Sequence, residues 1–275
     1  VQSVVDDGDE VVLLDPAWVS YEAMVKLAGG DLNRVDLSPY DFQLEPALDD
    51  LAAAVSDETE LLVVNSPNNP TGAVYSDAAL EGVRDLAVDH DVTVISDEIY
   101  ERITYGVEPT SLATLDGMYE RTITVNGFSK AYSMTGWRLG YFAAPEELVS
   151  QAAKLHSHSV SSAVNFVQHA GVEALQNTDD EVEEMVEAFE QRRDRLVELL
   201  DDHGVDVATP DGAFYAMLPV AADDQQWCED ALEQAQVATV PGSAFGAPGY
   251  ARMSYANSIE RIEEAVQRLD DENLL

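Results

Sequence analysis

Five short runs dominated by apolar or β-branched side chains set the strongest limit on how this chain can fold: EVVLL (residues 10 to 14), ELLVV (60 to 64), VTVIS (92 to 96), RTITV (121 to 125) and LGYFA (139 to 143). A strand with one wet face alternates apolar and polar residues, whereas an apolar run suits a strand covered on both faces. Between several runs lie helical patterns, Leu48, Leu51, Ala52 and Val55 in one, Leu80, Val83, Leu86 and Ala87 in another. Alternating strand and helix predicts an α/β fold, a mostly parallel sheet with flanking helices.

After Pro145 the pattern changes. TDDEVEEMVEAFEQRRDRLVELLDDHG reads as one long amphipathic helix with Val182, Met185, Val186, Phe189, Leu196 and Leu200 on a single stripe. Thr178 or Asp179 is expected to cap its start and Gly204 to end it. Strand-like GAFYAML (212 to 218), a helix near 226 to 235, the run VATV, strand-like YARMSYA and a closing helix from about Ser258 follow. The expected division is a large domain over residues 1–165, then the connecting long helix and a smaller C-terminal α+β domain over 166–275.

Charge narrows the partners. The 275 residues carry 53 Asp and Glu against 14 Lys and Arg, a formal net charge of −39. Phosphates would be repelled, so neither nucleic acid nor an anionic membrane is an expected partner. Only three of the cations are lysines. Dense carboxylates with few lysines suit a halophilic protein, because at about 1 M salt the Debye length is roughly 3 Å and repulsion is screened. The single cysteine, Cys228, allows no intrachain disulfide and reads as a buried neutral thiol in a reducing, cytoplasmic setting. No apolar run reaches the length of a membrane span, and VQSVVDDGDE has neither the basic nor the apolar part of a signal peptide. With no methionine at its start and a turn feeding directly into a strand, the chain is expected to lack an upstream segment.

In parallel sheets ligands gather beyond the carboxyl ends of the strands, so the residues after each run are the candidates. DPAW brings Trp18, NSPNNPTG brings Asn69, and DEIY brings Asp97 and Tyr100. NGFSK supplies Ser129 and Lys130, TGWR supplies Arg138, and YARMSYA carries Arg252. Taken singly, each has a plainer reading: Lys130 an exposed lysine, Asp97 a helix cap, Trp18 a core residue, Tyr100 part of an apolar layer, either arginine half of a surface ion pair. The HSH of residues 156 to 158 has no third ligand spaced nearby and reads as an ordinary helix pair rather than a metal site. No glycine-lysine phosphate loop or GxGxxG follows a strand.

Together and in this order, NPTG, SDEIY and SKAYSMTGWRLG resemble the motifs of the fold type I, class I and II aminotransferases, which use pyridoxal 5'-phosphate. They are most similar to the aspartate aminotransferase branch, and the resemblance covers essentially the whole chain. It implies that Lys130 forms a Schiff base with the cofactor aldehyde and shuttles the substrate proton. That requires an amine whose pKa is lowered by neighbouring positive charge and partial desolvation. Arg138, helped by Ser129, is then expected at the cofactor phosphate. Asp97 is expected at the pyridine nitrogen, Tyr100 and Asn69 at the ring's phenolic oxygen, and Trp18 stacked on the ring face. Arg252 would bind the substrate α-carboxylate, with Asn69 and Trp18 beside it. The catalytic set is Lys130, Asp97 and Tyr100, with no metal.

The implied reaction is ping-pong transamination between an amino acid, aspartate foremost, and a 2-oxo acid, 2-oxoglutarate foremost, in a homodimer. An aromatic aminotransferase, a lyase of the same fold and the aminotransferase-like sensor domain of a transcription regulator are the alternatives. The sequence departs from the family pattern in places. Gly127 stands where some relatives have a phosphate-contacting serine, and a glycine-containing helix start that grips the phosphate is not found in residues 1–275. Were the chain to end at Val1, cofactor binding would be expected to be weak, and bare apolar faces to favour aggregation. Cis peptides are expected at Asp15–Pro16 and Asn69–Pro70.

Overall fold

The computed structural model describes residues 1–220 and 223–275. Its main sheet contains β1 (Glu10–Asp15), β2 (Asp31–Asp36), β3 (Thr59–Asn65), β4 (Thr93–Asp97), β5 (Thr122–Gly127) and β6 (Gly140–Ala143), in the order β2-β1-β3-β4-β5-β6. The first five are parallel, and β6 runs antiparallel to β5. The central strands are apolar because both faces are covered. Val12, Leu14, Leu62, Val64 and Val94 pack with α2 (Leu48–Ala54) and α3 (Asp77–Asp89). Val11, Leu13, Leu61, Val63 and Ile95 pack on the other face with Tyr21 and Val25 of α1 (Val19–Ala28). Each such buried aliphatic side chain is worth about 2 kcal/mol in area removed from water.

Two strands differ from the sequence expectation. DLNRVD forms the edge strand β2 although Val35 is its one buried residue, so no apolar run marks it. LGYFA was expected to be covered on both faces, yet all four residues of β6 are exposed, because this strand is the opposite edge of the sheet. Asp15–Pro16 is cis as expected, but the second cis bond is Ser66–Pro67 and not Asn69–Pro70. The chain turns earlier than the motif suggested. Asn65 organises that turn, donating to the Pro67 carbonyl at 3.1 Å and accepting from the Asn69 amide at 2.9 Å.

Helices α4 (Glu146–Ser159), α5 (Asn165–Asn177) and α6 (Asp179–Asp202) lead to the second sheet. In α6 the expected stripe is buried through Val182, Phe189, Leu196 and Leu200, joined by Arg193, which donates to the Pro210 carbonyl at 3.0 Å. Thr178 flanks the helix start, but its hydroxyl donates back to the Ala174 carbonyl at 2.8 Å instead of capping. Gly204, at φ 76, closes the other end: its amide donates to Asp201 and that of Val205 to Leu200.

The second sheet is antiparallel, with β7 (Tyr215–Pro219), β8 (Val240–Pro241) and β9 (Tyr250–Ser254) in the order β7-β9-β8. It packs with α7 (Asp224–Glu233) and α8 (Ile259–Asp271). The same core takes in Tyr100, Ile103 and Ala131, which follow β4 and β5, so the two sheets meet at the carboxyl ends of the main strands. Along β9, Ala251 and Met253 enter this core, and the two-residue period turns Arg252 to the other face.

Candidate active site

All eight residues singled out in the sequence line one cavity of about 460 Å³ where the sheets meet: Trp18, Asn69, Asp97, Tyr100, Ser129, Lys130, Arg138 and Arg252. Most are delivered by connections following β1, β3, β4 and β5, while β9 sends Arg252 from the second sheet.

Asp97 ends β4, buried, and its carboxylate accepts from the Tyr21 hydroxyl at 2.5 Å and the Ile99 amide at 3.2 Å. Burial pushes its pKa up, while these two donors and the positive charge of Lys130 pull it down. The backbone of Asp97 is fixed as well, since Asn65 donates to its carbonyl at 2.8 Å. The Tyr21 pKa is raised well above its ordinary value, first by burial and then by Asp97, so Tyr21 stays the donor of this pair.

The Lys130 nitrogen stands 5.2 Å from the Tyr100 ring centre and 5.4 Å from that of Phe214. Its pKa is lowered, first by burial, then by the charge of Arg252, with Arg138 adding less. The depressed amine agrees with the expectation, with Arg252 as the leading charge. Arg252 donates to the Asn69 side-chain oxygen at 2.9 Å, and its guanidinium carbon lies 4.4 Å from the Tyr215 ring centre and 4.8 Å from that of Phe245. Among the described residues, no ion pair involves Lys130, Arg138 or Arg252, although the chain has 53 acidic side chains.

The loop after β5 presents the rest. Arg138 sits at φ 55, ψ 52, a left-handed conformation that costs about 1 kcal/mol or more. Local hydrogen bonds offset this cost: Arg138 donates to Thr135 at 2.9 Å and the Thr135 hydroxyl to the Ser129 carbonyl at 2.8 Å. At Gly127 a Cβ would stand 3.0 Å from Gly140 Cα and 3.2 Å from the Leu139 carbonyl oxygen, so the close approach of β6 leaves poor room for a serine. Trp18 lies just before α1, its ring 5.4 Å from Tyr21 and edge-on at 89°. Elsewhere, His156 and His158 are exposed on α4, and Cys228 is buried, its thiol pushed up by burial and accepting from Thr239 at 3.1 Å.

Tyr21, Asn65 and Tyr215 also line the cavity and were not found by sequence reasoning. Tyr21 left one usable signal, its place three residues after Trp18 on a helical start. Tyr215 left none, because its neighbours come from distant segments.

The class I and II aminotransferase profile matches residues 2–269. The chain belongs to this family. It is similar to a probable aspartate/prephenate aminotransferase of Aquifex aeolicus, 45% identical over 97% of this chain and 70% of that protein. The structure of Thermus thermophilus aspartate aminotransferase with maleate is 42% identical with a TM-score of 0.94, over 98% of this chain and 71% of that one. An aromatic aminotransferase from Pyrococcus horikoshii is 41% identical with a TM-score of 0.95, over 100% of this chain and 76% of that one. Class I and II aminotransferases use pyridoxal 5'-phosphate, and this chain is an enzyme of that kind, acting on small amino and oxo acids. The cavity fits the cofactor chemically: a buried carboxylate, an amine unpaired with acid, cations for a phosphate and a flat indole all face one space. None of the described helices is long and apolar enough to cross a membrane.

Proposed function

We propose that the chain transaminates aspartate with 2-oxoglutarate, with Lys130 as the amine that takes up the cofactor aldehyde. One observation carries the reading: a half-buried lysine with a depressed pKa shares its cavity with the buried carboxylate of Asp97. The names of the Aquifex and Thermus relatives support aspartate as the amino donor.

When bound, the cofactor supplies a ring that accepts the electrons released at the substrate Cα. Asp97, oriented by Tyr21 and Ile99, holds a proton at the ring nitrogen. Tyr100, kept protonated because burial pushes its phenol up, donates to the ring oxygen. Ser129 and Arg138 hold the phosphate, and Trp18 covers a ring face and excludes water. Arg252, oriented by Asn69, takes the substrate α-carboxylate, which fixes the Cα–H bond for abstraction. Lys130 would hold the cofactor through its aldehyde, and its amine is the group placed to take up the substrate Cα proton and give it back. Burial and the charge of Arg252, which lower the amine's pKa, favour the neutral form that this step needs.

The large and small domains divide near residues 165 and 166 in this reading, and the enzyme works as a homodimer. The exposure of Tyr141 (48%), Phe142 (42%) and Phe166 (67%) supports a covered face on the assembled protein.

Absorbance with pyridoxal 5'-phosphate, followed by product analysis with aspartate and 2-oxoglutarate, tests the proposal. Wild type should show a band at the edge of the visible and form oxaloacetate and glutamate, and Lys130→Ala should do neither. A band that survives in the variant defeats the role of Lys130. Faster turnover of tyrosine than of aspartate would assign aromatic substrates instead, in line with the Pyrococcus relative.

A further inference from the structure

The role given to Arg252 leaves its surroundings unexplained. A half-buried arginine is ordinarily held by an acid, and this chain has 53 to offer. Two rings hold it instead, Tyr215 at 4.4 Å and Phe245 at 4.8 Å, with Asn69 the one side-chain oxygen bonded to it among the described residues. The difference matters chemically. A carboxylate would occupy the paired donors of the guanidinium and cancel its charge, whereas a ring face attracts the cation and leaves its edge free for another carboxylate. Tyr215 has a second contact, since its hydroxyl lies 3.2 Å from that of Tyr100. One side chain therefore touches both the cation read here as the carboxylate binder and the phenol read as the donor to the cofactor ring.

We propose that Tyr215 is a positioning residue: its ring sets the Arg252 guanidinium for the substrate carboxylate, and its hydroxyl donates to Tyr100, leaving the Tyr100 proton for the cofactor oxygen. This rests on the reading of Arg252 given above. The ring and the hydroxyl have separable consequences. Removing the ring loosens the cation and weakens binding of both substrates, with little effect on the proton transfer itself. Removing only the hydroxyl leaves the cation in place and makes Tyr100 a poorer donor. Negative charge on the cofactor oxygen is then less stabilised, and the neighbouring Lys130-bound nitrogen keeps its proton to higher pH.

The experiment compares holoenzymes carrying Tyr215→Leu, Tyr215→Phe and Arg252→Leu, using maleate as a non-reacting dicarboxylate probe. Tyr215→Leu should raise the maleate Kd and both substrate KM values about tenfold while kcat stays within about threefold. Tyr215→Phe should keep the maleate Kd within about twofold and move the pH midpoint of the cofactor absorbance up by about half a unit or more. Unchanged maleate affinity in a folded Tyr215→Leu protein overturns the proposal, as does a fall in kcat with KM unchanged. If the Leu variant does not fold by circular dichroism, Tyr215→Phe decides alone: an unmoved midpoint, or a tenfold loss of maleate affinity, overturns it. Arg252→Leu separates the two layers. If it weakens maleate and Tyr215→Leu does not, only Tyr215 loses its role; if it leaves maleate binding intact, the reading of Arg252 falls and this one with it.

Discussion

Asp97 gains its working charge against the preference of its surroundings. Burial raises its pKa, so the folded protein holds this proton to higher pH than the unfolded chain does. The group therefore favours the fold fully below the ordinary aspartate range, and that contribution is lost as pH rises through the raised value. Wherever the carboxylate is ionised without cofactor it counts against stability, and the Tyr21 hydroxyl only partly compensates. Asp97→Asn should therefore raise the melting temperature of the cofactor-free protein at pH 8, by a margin that shrinks toward pH 4. The same change should lower kcat by at least about a hundredfold, because nothing then holds the ring-nitrogen proton. Scanning calorimetry at the two pH values with steady-state kinetics checks both; a variant less stable at pH 8 than wild type would contradict the cost assigned to burial.

At the level of elements, the β5–β6 pair sets the loop that carries Lys130 and Arg138. Gly127 and Gly140 face each other across it, with a Cβ on Gly127 only 3.0 Å from the Gly140 backbone. Gly127→Ala should destabilise the fold by about 1–3 kcal/mol, read as a lower urea midpoint, and loosen cofactor binding through the displaced loop. An unchanged midpoint would mean that the pair has slack. The parts of the fold visible in the sequence follow from coverage. β1, β3 and β4 are apolar because helices lie on both faces, whereas β2 is hidden by its polar edge and β6 reads as a covered strand although it stands exposed. The site was legible where a residue belongs to a local motif, as Asp97 in DEIY or Lys130 in NGFSK do. Tyr215 and Tyr21 act through partners more than 70 positions away in sequence, Tyr100 and Asp97, and no local spacing encodes those meetings. The second cis bond was misplaced by three residues because Asn65, not the NPTG motif, fixes that turn.

For the whole molecule, a net charge of −39 must coexist with a site that takes anions. Lys130, Arg138 and Arg252 line the cavity together, and their field acts over a few ångströms while salt screens the acidic exterior beyond that distance. The melting temperature should rise as KCl goes from about 0.1 M to about 1 M, over which the Debye length shortens from roughly 10 Å to roughly 3 Å. Full retention of the far-ultraviolet circular dichroism spectrum after desalting would remove the case for salt dependence.

The amide of Ala17 donates to the carbonyl of Phe245 at 2.9 Å, joining the turn that bears Trp18 to the turn that flanks Arg252. The segment that bears the indole is thereby tied by its backbone to the one whose Phe245 ring packs on the guanidinium, so the two cover residues of the cavity share a single backbone link across the seam between the sheets.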